Sequence, residues 1–192
     1  MMDEIQPQDS LPEGGIQERL TYLEEANRWT LEALGMVASL SDFHATINGT
    51  ESRQNTAEIL SETRVRLKRL FSFQFMGFFL IDEEDQSFTL SDFEPESEKD
   101  RIQAEANRLI ADGTFAWSLY QARAVMVPVN ENSAHRVILH TLSSKSRARG
   151  MFIGILDRDE MNVFDSSLSL LSIVLLNSAN ALESFEYFNM IK

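Results

Sequence analysis

The residues best suited to acid–base or metal chemistry are three histidines, His44, His135 and His140. No serine–acid pattern near them marks a nucleophile with its base, and no pair of them has zinc-ligand spacing. His140 shares a strand face with Ile138 and Leu142, which reads as a satisfied, partly buried imidazole. Its functional alternative is an axial haem ligand or a hydrogen bond to a pocket ligand. Phe115, Trp117 and Tyr120 group three aromatic rings on one short element. Core packing is the default for such a group, and a lid stacking on a planar ligand is the alternative. Lys145, Arg147 and Arg149 form a basic turn in a chain of net charge −13. They read as a solvated hairpin tip, or as a contact for an anionic ligand or for an acidic neighbouring subunit. Asp82-Glu83-Glu84-Asp85 lacks the glycine and the alternating ligands of a calcium loop, so no metal site is assigned.

The absence of cysteine excludes disulfides, zinc–thiolate sites, thiol catalysis and thioether-linked chromophores. A chain this acidic lacks the basic face that phosphate contacts need, which argues against nucleic acid. No stretch approaches 18 uninterrupted apolar residues, and the first residues carry acids and prolines where a secretory signal needs a basic end. The expectation is a cytoplasmic protein with no membrane partner.

The elements that must position these residues follow from periodicity. Residues 1–15 read as a disordered leader and 16–49 as a helix with its connection, with Ile16, Leu20, Leu23, Asn27, Thr30, Leu34 and Val37 on a heptad-like seam. That seam packs on its own domain or pairs across a dimer. A second helix, about Arg53 to Leu70, turns Ile59, Val65, Leu67 and Leu70 inward. Arg64, Arg66, Lys68 and Arg69 suit its C-terminal dipole and read as a solvated end. Phe73–Ile81 is a strand apolar on both faces, with Phe73, Phe75, Phe79 and Ile81 on one of them. Ser87–Asp92 returns as a half-buried partner. A helix from Glu98 to Asp112 turns Ile102, Ala106, Leu109 and Ile110 inward, and Gly113 ends it. A short helix carries Phe115 to Tyr120. Strands follow at Ala124–Val129, His135–Leu142 and Arg149–Asp157. The last helix starts near Asp165 and is apolar on more than one side, through Leu168, Leu171, Leu175, Ser178, Leu182, Phe185 and Asn189 on one stripe and Leu170, Ile173, Val174, Leu176 and Ala181 beside it. One side suits a sheet, and the other needs a second helix or a second copy.

The hairpin Gly77-Phe78-Phe79-Leu80-Ile81-Asp82, the segment Gly113-Thr114-Phe115-Ala116-Trp117, the strand Ala124-Val125-Met126-Val127-Pro128, the strand Gly150-Met151-Phe152-Ile153-Gly154-Ile155-Leu156, Ile59-Leu60 and the final Asn180-Ala181-Leu182 stand in an order that resembles a GAF domain over residues 50–192. The resemblance implies an α+β fold: an antiparallel sheet of about five strands, with N- and C-terminal helices on one face and loops and short helices on the other. It implies a non-catalytic sensory or regulatory module of intracellular signalling, homodimeric through its terminal helices, with a small molecule or a signalling protein as partner. It implies a pocket in which Phe79, Met126, His140 and Gly154 line the wall opposite Phe115 and Trp117. The cofactor is not named by any residue; haem held by His140 is the alternative reading, and a small enzyme a weaker one.

Overall fold

The structure is a computed structural model that describes residues 15–17, 19–24, 27, 35, 56–82, 84–129, 135–157, 163 and 165–190. The chain divides into two units, residues 1–42 and 43–192. In the first unit every described residue is helical and exposed, including Ile16, Leu20 and Leu23 of the seam. Asn27 is helical too. Thr30, Leu34 and Val37 lie outside the described residues, as do the leader before residue 15, His44 and the break before Thr56.

In the second unit the elements run α1 (Thr56–Leu70), β1 (Phe73–Ile81), β2 (Phe88–Glu94), a single 3-10 turn (Glu96–Glu98), α2 (Lys99–Ala111), α3 (Thr114–Ser118), β3 (Val125–Pro128), β4 (Arg136–Ser143), β5 (Ala148–Leu156) and α4 (Asp165–Met190). The five strands form one antiparallel sheet in the order β2-β1-β5-β4-β3. β1 and β5 are central, which is why their sequences are apolar at nearly every position.

Each face of the sheet is covered by a different pair of helices. Cross-strand partners share a face, so the register sorts the side chains. Phe75, Phe79, Val137, Leu139, Met151, Ile153 and Ile155 pack with Ile102, Ala106 and Leu109 of α2 and Phe115 of α3. Gly77 lets α2 come close, since a Cβ there would stand 2.8 Å from Ile102 Cγ2. On the opposite face Met76, Phe78, Ile138, Leu142 and Phe152 are buried beneath α1 and α4.

Three bulges decide which face some residues reach. Phe73 pairs with Leu156 and Phe75 with Ile155, leaving Gln74 as the extra residue. The shift takes Phe73 off the Phe75–Phe79 face expected for it and stacks its ring edge-on against Phe152, 5.6 Å away. In β2, Phe78 pairs with Asp92 and Phe79 with Leu90, leaving Ser91 unpaired. Phe93 therefore joins Phe88 and Leu90 over the α2 side, while Asp92 and Glu94 turn toward α1. In β5, Gly150 pairs with Leu142 and Ala148 with Ser143, so Arg149 is the extra residue.

The β2 bulge corrects the solvated reading of the basic run on α1. Arg64 Nη1 holds Asp92 at 3.1 Å and its Nε holds Glu94 at 3.1 Å, and Lys68 reaches Glu94 at 2.6 Å. Val65 and Ile110, expected inside, are exposed. Thr63 takes the inward place on α1 and Glu105, clasped by Arg108, takes it on α2.

Candidate functional site

Phe79 and Phe115 meet as expected. Their rings stand at 90° with centroids 6.4 Å apart, and Phe88 closes on Phe115 at 4.7 Å. α3 is set over them by Gly113, whose φ of 80° belongs to the left-handed region. Just before it, Asp112 Oδ1 accepts the Thr114 N–H at 2.9 Å and shapes the turn into the helix. Ser118 donates to the Phe115 carbonyl at 2.8 Å, and Thr141 donates to the Ser118 carbonyl at 3.1 Å, so α3 is tied to β4. The space between sheet and α2–α3 is thus filled by the protein's own rings.

The other residues expected to line that pocket lie elsewhere. Trp117 on the outer side of α3 is 51% exposed and Tyr120, past its end, 88% exposed, so the aromatic group is split. Met126 pairs with Ile138, Ile138 with Gly154 and Gly154 with Met76, a row on the α1–α4 face. Over Gly154 lies the ring of Phe73, in the place a side chain would need. His140 pairs with Phe152 and belongs to the same face. The sheet itself therefore stands between Phe79 and the set Met126, His140 and Gly154.

His140 is 7% exposed. Its Nδ1 lies 2.7 Å from the Thr141 carbonyl, which fixes the proton there, and its Nε2 is buried without a partner. Burial holds the imidazole below its usual pKa, against the smaller upward pull of the Thr141 carbonyl. A haem would need an open plane beside Nε2. Here Phe152 and Phe78 lie along the same row and α4 lies over the strand, so the arrangement does not fit a haem.

The acids of the β1–β2 turn are engaged in making the turn. Asp82 Oδ1 accepts the Glu84 N–H and Asp85 Oδ1 the Ser87 N–H, each at 2.8 Å. The bonds to Ser87 hold the Asp85 carboxyl below its usual pKa.

α4 carries the feature with the clearest meaning for contacts outside the domain. Leu171, Val174, Leu175, Ser178, Ala179 and Leu182 face inward, and Ser178 meets Thr63 of α1 at 2.5 Å. The stripe around Leu175 is therefore core. Ile173 and Leu176 are exposed on the other side, on one line with Asn180; the line continues through Glu183, whose carboxylate accepts from Tyr187 Oη at 3.4 Å. From Ser166 to Leu182 the helix has no charged residue, in a chain where 24% of residues are charged. Its length and composition would let it cross a membrane, yet 44% of that span is buried in the domain, as in the core helix of a folded protein.

Known structures share this architecture. The GAF domain/HD domain protein from Geobacter sulfurreducens superposes with a TM-score of 0.57 at 10% identity, over 72% of this chain and 99% of that one. The GAF domain of a two-component sensor histidine kinase from Bacillus halodurans gives 0.52 at 14% identity, over 69% and 96%. The fold is GAF-like. An N-acylhomoserine-lactone-dependent LuxR-family transcription factor from Burkholderia cenocepacia matches the GAF-like chain at 0.52 and 12% identity, over 83% and 99%. No model of a known protein family matches the sequence, and neither does any curated protein sequence.

Proposed function

We propose that this GAF-like chain is a non-catalytic regulatory module that works as a homodimer and passes its state through helices. The observation that carries the reading is the uncharged outer stripe of α4 before Glu183, formed by Ile173, Leu176 and Asn180. Two copies of a chain with net charge −13 repel one another, and a contact face free of charge is the one that self-association tolerates. A basic protein partner would call for acids on the stripe, and there are none between Ser166 and Leu182. The exposed Ile16, Leu20 and Leu23 of the N-terminal helix offer a second seam of the same kind.

The test is light scattering coupled to size exclusion. The wild type runs as a dimer, and Leu176→Glu runs as a monomer with the same circular dichroism. Leu175 is no probe of the interface, being fully buried. A monomeric wild type, or a dimer indifferent to Leu176→Glu, removes α4 from the reading.

A further inference from the structure

On the face of the sheet opposite the aromatic core, the β4–β5 hairpin grips the last turns of α4. Arg147 Nη2 holds Glu186 at 2.8 Å, Arg149 Nη1 holds the same carboxylate, and Ser146 Oγ donates to Glu183. The Arg149 side chain is only 5% exposed. It is the bulge residue of β5, and the bulge aims it at α4 rather than into the strand alternation. Beside this cluster opens a cleft of about 220 Å³. Leu80, Ile81 and Leu182 make its apolar wall, and Arg147, Arg149 and Glu186 its charged end.

Two guanidinium groups converging on one carboxylate at the end of an apolar cleft are the chemistry of a carboxylate receptor. In this chain the receptor is filled by its own side chain. We infer that the Arg147–Arg149 pair is a binding site for a small organic monocarboxylate with a short apolar chain, which takes the place of Glu186 and frees the end of α4. The carboxylate replaces Glu186 between the guanidinium groups, and the hydrocarbon lies along Leu80, Ile81 and Leu182.

The last buried residues of α4 are Ala181 and Leu182, and residues 187–190 are exposed. Beyond Leu182 the helix thus has charged contacts to the hairpin in place of a buried apolar side. Displacing Glu186 acts on that segment, which bears the exposed Tyr187 and Phe188. What this release does to the dimer rests on the regulatory reading above; the binding itself does not.

The competing intramolecular carboxylate lowers the apparent affinity of the wild type, so its removal should tighten binding by about tenfold or more. The experiment is calorimetric titration of sodium butyrate, with sodium chloride and inorganic phosphate at matched ionic strength as comparisons. Saturable butyrate binding is expected in Glu186→Gln, at least about tenfold weaker in the wild type. It is expected to be lost in Glu186→Gln/Arg147→Gln, whose second change is at a half-exposed residue and leaves the fold intact by circular dichroism. In the wild type, saturating butyrate should speed amide exchange at residues 183–190. Binding no different from chloride in Glu186→Gln overturns the site. Phosphate binding as well as butyrate overturns the apolar part of the ligand class, and butyrate binding without faster exchange overturns the release. Size exclusion of the same samples reports separately on the dimer.

Discussion

The two faces of the sheet are built from the same five strands and are stabilised in different ways. On the α2–α3 face an aromatic cluster fills the centre: Phe79, Phe88 and Phe115 interlock edge to face, with Ile102 and Leu109 above them, and the buried polar groups Ser118, Thr141 and Glu105 stand around it. On the α1–α4 face the apolar layer is interrupted by buried polar groups, namely His140, the Thr63–Ser178 contact and Arg149. An aromatic layer of the first kind gains stability from volume and shape. A layer of the second kind gives up some of that gain for contacts that define how two helices lie on each other. On the α1–α4 face it is a side-chain contact, Thr63 with Ser178, that joins the two covering helices to each other, which is where a transmitting surface would need a defined register.

The largest expected effect tests the aromatic face. Phe79→Ala should lower unfolding stability by about 3–5 kcal/mol in urea titration, because the rings around it cannot close the gap. A loss under about 1 kcal/mol would mean the face is loosely packed and the contrast is false. Next comes the polar contact between α1 and α4. Thr63 and Ser178 each have a second partner, the carbonyls of Ile59 at 2.7 Å and Val174 at 3.0 Å. Removing one partner therefore strands no donor, and Thr63→Val should cost only about 1 kcal/mol. The double change with Ser178→Ala should cost little more than the single one, and strictly additive losses would show that the hydroxyls do not interact.

His140 should give a smaller effect that depends on pH. Its folded pKa is depressed, so the unfolded chain takes up the proton first. Stability is then full above the unfolded value of about 6.5 and declines as pH falls below it. His140→Leu should flatten that decline in denaturant midpoints measured from pH 7.5 downward, and an unchanged slope would assign it to another group. Asp92 acts in the opposite sense at lower pH. Burial raises its carboxyl, Arg64 pulls it back and Glu94 adds to the rise, so its contribution weakens as pH climbs from the ordinary carboxylate value through the raised one. The smallest effect belongs to Trp117. At half exposure, Trp117→Ser should stay within about 0.5 kcal/mol of the wild type, whereas Phe115→Ser on the same helix should be severe.

Much of the fold was legible because its central strands announce themselves. β1 is apolar on both sides and was read from Phe73 to Ile81, the observed bounds. Gly113 marked the end of α2, and α4 showed its start at Asp165. The faces were not legible. A bulge adds one residue with no compositional mark, so nothing about Gln74 or Ser91 says that alternation breaks there, and Phe73, Asp92 and Phe93 all change sides as a result. The same gap affected the candidate site. Placing Phe79 apart from Met126, His140 and Gly154 requires the cross-strand register, which depends on hairpin geometry rather than on residue type. Trp117 and Phe115 are two positions apart on a single helical turn, and an aromatic pair at that spacing points two ways. The ion pairs of Arg64 with Asp92 and of Arg149 with Glu186 join residues far apart in the chain, and both depend on those same bulges.

Ser91 is exposed, makes no cross-strand pair and is one of the least conspicuous residues in the domain. Substituting it should be almost silent. Deleting it removes only the extra residue of the bulge: Leu90 and Asp92 become neighbours on opposite faces, and Asp92, Phe93 and Glu94 keep the sides they have. Straightening the strand with Ser91 in place is what would send Phe93 to the α1 side and Asp92 and Glu94 into the aromatic layer. At this position the chain is indifferent to spelling and tolerant of the loss of one residue. Single-residue deletions should show that tolerance as a yield of folded protein at Ser91 that deletions in the central strand β1 do not match.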